Sequence, residues 1–361
     1  MKPIFNTLDR YIIKQFLGTF FFSILLILSI AVVFDINEKI SHFLKPDCTL
    51  YEIIFHYYIN FVPYYANLFS SLFVFLAVIF FTTKLAEKTE IIAMLSSGVS
   101  FNRLLRPYMF SAAVIAVFSF LLSSFIIPPG NAVRTKFQDK YIKNKLVKEA
   151  SSIQLEVEPD IYAYIHYYNS DRKKGNNLVL DYFQDNTLQS RLTAKEIEYD
   201  TLYQWRLSDY TITHYGRVRD SLERGSSLDT LIHLQPRDFL ISSIGAETYT
   251  TPELHSHIKE LKQRGASNIK LLEIELHKRY ASIPAAFILT LIGVSLSSRK
   301  RRGGMGLSLA LGIALSVSYI LFMTIASTFS ASGSLSPIVA AQLPNAIYAL
   351  IALYLYTKAP R

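Results

Sequence analysis

Long apolar runs alternate with charged segments along the chain, and these runs predict where helices cross a membrane. Four of them approach the ~20 residues that a helix needs to span ~30 Å of hydrocarbon. They are residues 15–34, 60–83, 107–127 and 280–298. A fifth run, residues 303–357, carries no charge and is long enough for two helices joined by the turn-rich SASGSLSP. The pattern predicts six membrane spans.

Between the third and fourth spans the apolar period changes to two. Short segments rich in Tyr and Ile are separated by turns, as in a series of β-strands. They are SIQLEVEPDIYAYIHYY, NNLVLDYFQ, SRLTAKEIEYD, QWRLSDYTITHYG and LIHLQPRDFL. Strands at this spacing predict a sandwich or jelly-roll type of domain.

Helical segments flank these strands. We predict a short helix over residues 136–148 and another that has Thr251 as N-cap, Pro252 at its first position and Gly265 beyond its end. A further helix starts near residue 268 and continues into the fourth span.

The predicted fold class is a multi-pass α-helical membrane protein with six transmembrane helices and an inserted all-β, jelly-roll-like domain. We place the first half of the membrane domain at residues 1–127 and the inserted domain with its connecting helices at 128–275. The second half of the membrane domain follows at 276–361.

Basic residues concentrate in alternate loops, which predicts the orientation. The positive-inside rule then places both termini in the cytoplasm and the β domain on the other side. The residues concerned are Lys2, Arg10, Lys14, Lys84, Lys88, Arg103, Arg106, Arg299, Lys300, Arg301, Arg302, Lys358 and Arg361. Residues 128–275 hold 20 Lys and Arg against 21 Asp and Glu, which argues against a nucleic-acid-binding domain. Cys48 is the single cysteine and has no internal disulfide partner.

The sequence lacks the motifs of a hydrolase. No G-x-x-x-x-G-K-[ST] phosphate loop, H-E-x-x-H or G-x-S-x-G occurs. We therefore expect a subunit that is not itself an enzyme and that needs no cofactor or metal.

The segment KLAEKTEIIAMLSSGVSFNRLLRP, residues 84–107, joins the second and third spans. Helical spacing predicts a short helix at about residues 84–98 with an apolar side. That side consists of Leu85, Ile92, Leu95 and Val99. Gly98 suits the left-handed backbone that ends a helix, and Ser100 suits the cap of the next one. Such a helix can dock into a groove on a soluble partner, or it can merely close a loop at the membrane surface.

The letters T-E-I-I-A-M-L-S-S-G-V-S within this segment resemble the cytoplasmic signature of the lipopolysaccharide-export permeases, the LptF/LptG family. The opening L-D-R-Y-I-I-K-Q-F resembles that of the same family. So do the plan of three spans, β domain and three spans, and, less closely, E-I-E-L-H-K-R-Y-A-S-I-P and Q-L-P-N. The resemblance covers essentially the whole chain and does not separate the two paralogues.

The resemblance implies one membrane half of an ATP-driven exporter in the inner membrane of a Gram-negative bacterium. Its partners would be a dimer of a cytoplasmic LptB-like ABC ATPase, a paralogous permease half, LptC/LptA-like periplasmic jelly-roll proteins and lipopolysaccharide. The residues expected to couple to the ATPase are Glu87, Glu90, Met94, Gly98 and Arg103. Glu90 matches the acid of the family's coupling helix.

A lipid substrate requires an apolar space and cations near its head group. The candidates are Phe22, Phe69 and Phe73 for the first, and Lys39, Lys278 and Arg279 for the second. The phenylalanines can instead be packed or lipid-facing, and the cations can instead anchor helices at the interface. The family's first span carries more basic residues at its outer end, whereas this chain has Asp35 and Glu38 beside Lys39.

We predict a permease subunit that extracts lipopolysaccharide from the inner membrane and passes it toward the outer membrane. One alternative is export of another lipid or of a lipoprotein by the same kind of ATPase. A second is a membrane-anchored sensor or assembly scaffold whose β domain binds a ligand.

Overall fold

The computed structural model describes residues 6–142, residues 149–236 apart from 171, 186, 202, 217 and 218, and residues 243–263, 269–298 and 304–359. The chain divides into two units. The membrane unit comprises Met1–Ile142 and Ile274–Arg361, and the inserted unit comprises Lys143–Glu273.

The helices of the membrane unit occur in two series, one before and one after the inserted unit. The first series is α1 (Thr7–Phe43), α2 (Ile59–Leu68), α3 (Ser70–Glu87), α4 (Glu90–Ser96), α5 (Phe101–Leu121) and α6 (Ile127–Phe137). Wider π-helical turns precede α2 (Glu52–Tyr58), separate α5 from α6 (Leu122–Ile126) and follow α6 (Gln138–Ile142). The second series is α9 (Lys270–Ser297), α10 (Gly304–Ala331) and α11 (Pro337–Thr357).

Six membrane spans are confirmed by the helices that the structure describes. They are α1, α3, the continuous helix Phe101–Ile142, α9, α10 and α11. The predicted second span is interrupted at Phe69, whose backbone leaves the helical region, so α2 and α3 are separate helices. The first part of the helix predicted at residues 136–148 belongs to the third span, which continues to Ile142. Residues 143–148 lie outside the described residues.

We call the larger group of buried side chains the main core. Its centre is α3, where nearly every residue from Phe73 to Ala86 is buried. Side chains of α1, α5, α9, α10 and α11 complete it, among them Phe16, Tyr108, Leu289, Tyr319 and Tyr348. Glycine allows the closest approach, because a Cβ on Gly293 of α9 would lie 3.0 Å from the Cβ of Val78.

A second group, the aromatic cluster, lies at the other end of α1. It consists of the buried Phe43, Tyr57, Phe61, Phe137 and Tyr141. Its rings meet mostly at steep or tilted angles, with the Phe61 and Tyr65 centroids 4.2 Å apart. The cluster joins the end of α1 to α2, α6 and two of the π-helical turns.

The inserted unit contains one antiparallel sheet of six strands in sequential order. The strands are β1 (Glu149–Glu158), β2 (Ile161–Asn169), β3 (Lys174–Gln184), β4 (Thr187–Tyr199), β5 (Gln204–His214) and β6 (Ser221–Leu231). An all-β inserted domain is therefore confirmed. Every described strand pairs with its neighbour in sequence, so the connection among them is a meander.

One face of this sheet is buried. Ile153, Ile165, Leu178 and Ala194 form a row across four strands, since each is paired with the next in the register. These four side chains are at most 5% exposed. The alternation of apolar and polar positions therefore fixes the register, because a shift by one residue would expose the whole row.

The prediction of a strand at LIHLQPRDFL was wrong for the residues described there. Only Leu231 of residues 231–236 belongs to a strand, whereas β6 lies just before it in SLERGSSLDTL. β6 is an edge strand with mostly exposed side chains, so it shows no apolar alternation.

Two further helices follow the sheet, α7 (Ser243–Ala246) and α8 (Thr251–Gln263). The cap of α8 lies one residue earlier than predicted. The amide and hydroxyl of Thr250 both donate to Glu253, at 2.8 and 2.7 Å, which ties the residue before the helix to its first turn. The predicted continuation of α9 into the fourth span is confirmed. The basic run Arg299–Arg302 lies outside the described residues.

Candidate functional site

The segment between α3 and α5 forms a separate short helix, α4, bounded by two left-handed residues. α3 ends at Glu87, and Thr89 has a φ of 62° directly before Glu90. At the other end Gly98 has a φ of +87°, as predicted. Ser100 then caps α5 by accepting a hydrogen bond from the amide of Arg103, also as predicted.

The break at Thr89 changes which side of this helix faces the protein. Ile91 is fully buried in the main core, whereas Ile92, which was predicted to lie on the apolar side, is 50% exposed. That prediction was wrong because it extended one helix through the break. Met94 packs against the main core with Leu95, and Glu87 is exposed.

Glu90 and Arg103 both contact the first turns of α1. Glu90 is half-buried and interacts with the hydroxyl of Tyr11. The guanidinium of Arg103 donates two hydrogen bonds to the carboxylate of Asp9, at 2.7 and 2.6 Å. Of the five residues predicted to couple to an ATPase, Arg103 is thus already engaged within the chain.

The last turn of α11 also reaches this place. The hydroxyl of Tyr356 donates to the side chain of Asn102, next to Arg103 on α5. The starts of α1 and α5, the helix α4 and the end of α11 therefore lie together, and we call this region the termini end.

At the opposite end, an ion pair of α1 adjoins the aromatic cluster. Lys39 contacts Asp35, one turn earlier on α1, and donates a hydrogen bond of 2.7 Å to Tyr57. The hydroxyl of Tyr58 donates to the other oxygen of Asp35, at 3.0 Å. The predicted head-group cation Lys39 is therefore paired with the carboxylate of Asp35.

A second polar group in this region centres on Glu52. Its carboxylate accepts hydrogen bonds from the hydroxyl of Tyr141 at 2.9 Å and from the amide and hydroxyl of Thr49. Lys140 lies 3.3 Å away. These donors, led by Tyr141, lower the pKa of Glu52 from 4.5 to about 2, against the opposing effect of desolvation.

Arg134 on α6 is a buried cation that the sequence did not single out. It is 5% exposed, donates to the Oδ1 of Asn131 at 3.0 and 2.6 Å, and lies 3.9 Å above the ring of Tyr64. Its Nη1 atom has no hydrogen-bond partner, and no carboxylate pairs with it, among the residues that the structure describes. A buried guanidinium without a counter-ion is costly unless an anion binds there.

The other predicted substrate residues lie in different surroundings. Phe73 is fully buried in the main core, Phe69 packs against that core, and Phe22 is 64% exposed on α1. Arg279 is 4% exposed and donates to Glu275 at 2.9 Å, whereas Lys278 is half-buried. Lys39 lies in yet another place, beside Tyr57 of the aromatic cluster.

The Q-L-P-N motif forms a polar node within the main core. Asn345 of α11 donates to the backbone carbonyl of Ala281 on α9 at 2.9 Å and accepts from Tyr319 of α10 at 2.8 Å. The Ala281 carbonyl lies three residues before Pro284, in the turn that proline disturbs. Asn345 therefore fixes three helices to one another.

Comparisons with known proteins agree with this architecture. The profile of the family "Lipopolysaccharide export system permease LptF/LptG" matches residues 10–358. The chain is also 19% identical over 364 residues to lipopolysaccharide export system permease protein LptG of Escherichia coli strain K12, covering 99% of each chain. The LptG protein of Escherichia coli O6:H1 strain CFT073 matches with the same identity and coverage.

The family match spans all six membrane helices and the β domain, and its members are permease subunits rather than enzymes. This chain belongs to the LptF/LptG family of lipopolysaccharide export permeases.

Proposed function

We propose that this chain is one membrane half of an ATP-driven exporter. It pairs with a second permease half, extracts lipopolysaccharide from the inner membrane, and passes it to periplasmic jelly-roll proteins that lead to the outer membrane. The termini end faces the cytoplasm and the inserted β domain faces the periplasm, as the basic residues of the alternate loops indicate.

The observation that carries this proposal is α4. It is a seven-residue helix isolated by left-handed backbone at Thr89 and Gly98, with Ile91 anchoring one side in the main core. Ile92, the next residue of α4, and Glu87, the last residue of α3, are exposed. A short helix with an apolar anchor and an exposed, partly acidic side suits docking into a groove of a soluble ATPase.

Glu90 is the acid that we place against a basic residue of the ATPase. It stands at the first position of α4, where the helix dipole favours a negative charge, and it is half-buried against Tyr11. A partly desolvated acid at the centre of an interface favours a matching cation.

The head-group contacts of the substrate lie at the opposite end of the membrane unit, and the acyl-chain contacts lie along α1. Exposed apolar side chains on α1, including Phe22, offer a surface for acyl chains. Among the cations, Lys39 and Arg279 are already paired with acids, so Arg134 and the half-buried Lys278 are better suited to bind a phosphate.

Affinity purification of the detergent-solubilised protein from native membranes tests this function. We expect wild type to retain an ABC ATPase and lipopolysaccharide. Glu90→Lys should lose the ATPase because it places a cation against a basic groove. Glu38→Lys, the same charge change at an exposed position near the other end of α1, should retain it.

Two results would contradict the proposal. Absence of an ATPase from the wild-type preparation would remove the docking function of α4. Recovery of the ATPase together with a different lipid or a lipoprotein would preserve the exporter but change its substrate.

A further inference from the structure

We infer that the first turns of α1 are part of the device that couples the ATPase to the membrane, and that the pair Asp9–Arg103 is its positioning link. This inference rests on the proposed function. It assigns a role to the opening motif L-D-R-Y, which resembles that of the family.

The pair joins two helix starts that are 94 residues apart in sequence. Both guanidinium nitrogens Nη1 and Nη2 of Arg103 donate to the carboxylate of Asp9, one to each oxygen. A bidentate pair fixes direction as well as distance, which a single hydrogen bond does not.

Each partner is itself held by backbone. The carboxylate of Asp9 accepts a hydrogen bond of 3.0 Å from the amide of Asn6, as part of the capping box of α1. The amide of Arg103 donates to the hydroxyl of Ser100, the cap of α5. The link therefore joins two capped helix ends and has little freedom to move with respect to either helix.

Tyr11 supplies a second contact, on another side of α1. Asp9 and Tyr11 are two positions apart, which places their side chains about 200° apart around a helix. Asp9 faces Arg103 on α5, and Tyr11 faces Glu90 on α4. The first turns of α1 thus interact with both α4 and α5.

This arrangement matters because α4 is not continuous with either neighbouring span. The left-handed Thr89 and Gly98 interrupt the backbone ladder on both sides. A displacement of α4 therefore reaches the rest of the membrane unit through side-chain contacts, and the contacts to α1 pass it to the first span.

The pair is suited to positioning more than to stability. The Asp9 side chain is 3% exposed, but that of Arg103 is 32% exposed, so solvent screens the interaction. Its loss should leave a folded protein in which movements of α4 and α1 are no longer matched.

The test uses the complete exporter complex, reconstituted in vesicles that contain lipopolysaccharide, with ATP hydrolysis and lipopolysaccharide export measured on the same sample. We expect Arg103→Gln to keep the ATPase bound and hydrolysing ATP. Export per ATP hydrolysed should fall about fivefold or more, the lower range of typical coupling between sites.

Arg106→Gln is the matched control. It removes the same charge from an exposed position of the same helix, where Arg106 acts on Asp9 through charge alone and forms no hydrogen bond with it. Its export per ATP should remain that of wild type. Arg103→Lys retains the positive charge but cannot donate the two parallel hydrogen bonds of the guanidinium. Its export per ATP should therefore lie between those of Arg103→Gln and Arg106→Gln.

If Arg103→Gln lowers ATP hydrolysis and export in the same proportion, or changes neither, export per ATP hydrolysed stays that of wild type. Either result would overturn the inference. If the Arg103→Gln protein does not accumulate, Asp9→Asn tests the same link. The new Asn side chain can still accept the capping hydrogen bond from the amide of Asn6. Loss of ATPase binding in both variants would show a purely structural role and would also overturn it. Failure of wild type to bind an ATPase would instead refute the proposed function.

Discussion

The main core and the aromatic cluster bury side chains in different ways. In the main core α3 and α9 approach each other at Gly293, and most buried side chains are aliphatic or Phe. The aromatic cluster is built mainly from Tyr and Phe and adjoins the ion pair of Asp35 and Lys39. Regular helices build the first, whereas π-helical turns supply parts of the second.

The difference shows how one membrane unit can combine rigidity with polar recognition. Close packing without charges leaves the main core few alternative arrangements. Buried charges stabilise less than apolar packing does, but they specify which partner each helix end takes. Four substitutions sharpen this comparison, and they follow from the largest expected effect to the smallest.

Asp35→Ala should be the most damaging change, because it leaves Lys39 buried without a counter-ion. Their side chains are 10% and 17% exposed, respectively. Breaking a buried pair costs about 3–5 kcal/mol. Thermal unfolding of the purified protein in detergent measures the loss.

Replacing both partners separates charge from packing. The double variant Asp35→Leu, Lys39→Met should recover most of the stability, since no charge remains buried. Asp47→Ala, at an exposed acid in the same region, serves as control. A single variant Asp35→Ala that unfolds like wild type would show that the ion pair is not needed there.

Gly293→Ala tests close packing in the main core. Its new Cβ would lie 2.7 Å from the Cγ1 and 3.0 Å from the Cβ of Val78, and rotation of the valine cannot move its Cβ. Overpacking of this kind costs about 1–3 kcal/mol. The midpoint of denaturant unfolding is the measurement.

Gly306→Ala is the matched substitution, because no described atom outside its own stretch of helix backbone lies within 4 Å of its Cβ position. It should be neutral or stabilising. Adding Val78→Ala to Gly293→Ala should restore part of the loss, and a lack of any restoration would contradict the assigned clash.

Asn345→Leu tests a polar contact that joins α9, α10 and α11. It removes the donor to Ala281 and the acceptor of the Tyr319 hydroxyl, which is left buried without that partner. An unsatisfied buried group costs about 1–3 kcal/mol. Tyr319→Phe, which loses only one of these bonds, should cost less in the same unfolding assay, and the reverse order would contradict the assignment.

Glu52→Gln should have the smallest effect, and that effect should depend on pH. Because the pKa of Glu52 is about 2 in the folded protein and ordinarily 4.5, its ionised form stabilises the fold above pH 4.5. This contribution is lost as the pH falls from 4.5 toward 2. The difference in Tm between wild type and Glu52→Gln should therefore narrow below pH 4.5.

A Tm difference between wild type and Glu52→Gln that persists unchanged at pH 2 would mean that the donors around Glu52 do not lower its pKa as proposed.

Local patterns in the sequence predict much of this fold. Apolar runs give the six spans, and the period of two gives most strands. Gly98 and Ser100 are correctly placed as the end of one helix and the cap of the next, because each depends on its own backbone and a few neighbours.

Contacts between distant segments account for what the sequence does not predict. The pair Asp9–Arg103 and the isolated cation Arg134 depend on helices that meet only in the folded protein. The interruption at Phe69 and the π-helical turn at Leu122–Ile126 lie inside long apolar runs, and an almost wholly apolar run does not show a change of helical phase. β6 is missed because an exposed edge strand has no buried face.

The π-helical turn at Leu122–Ile126 gives the third span two phases. One additional residue in a turn rotates all later side chains by about 100° relative to an unbroken α-helix. Before the turn α5 packs on α1, and after it α6 packs on α2. A single continuous helix thus presents one side to α1 and a different side to α2, so the loss of one residue from this turn would misalign Asn131 and Arg134 while leaving α5 in place.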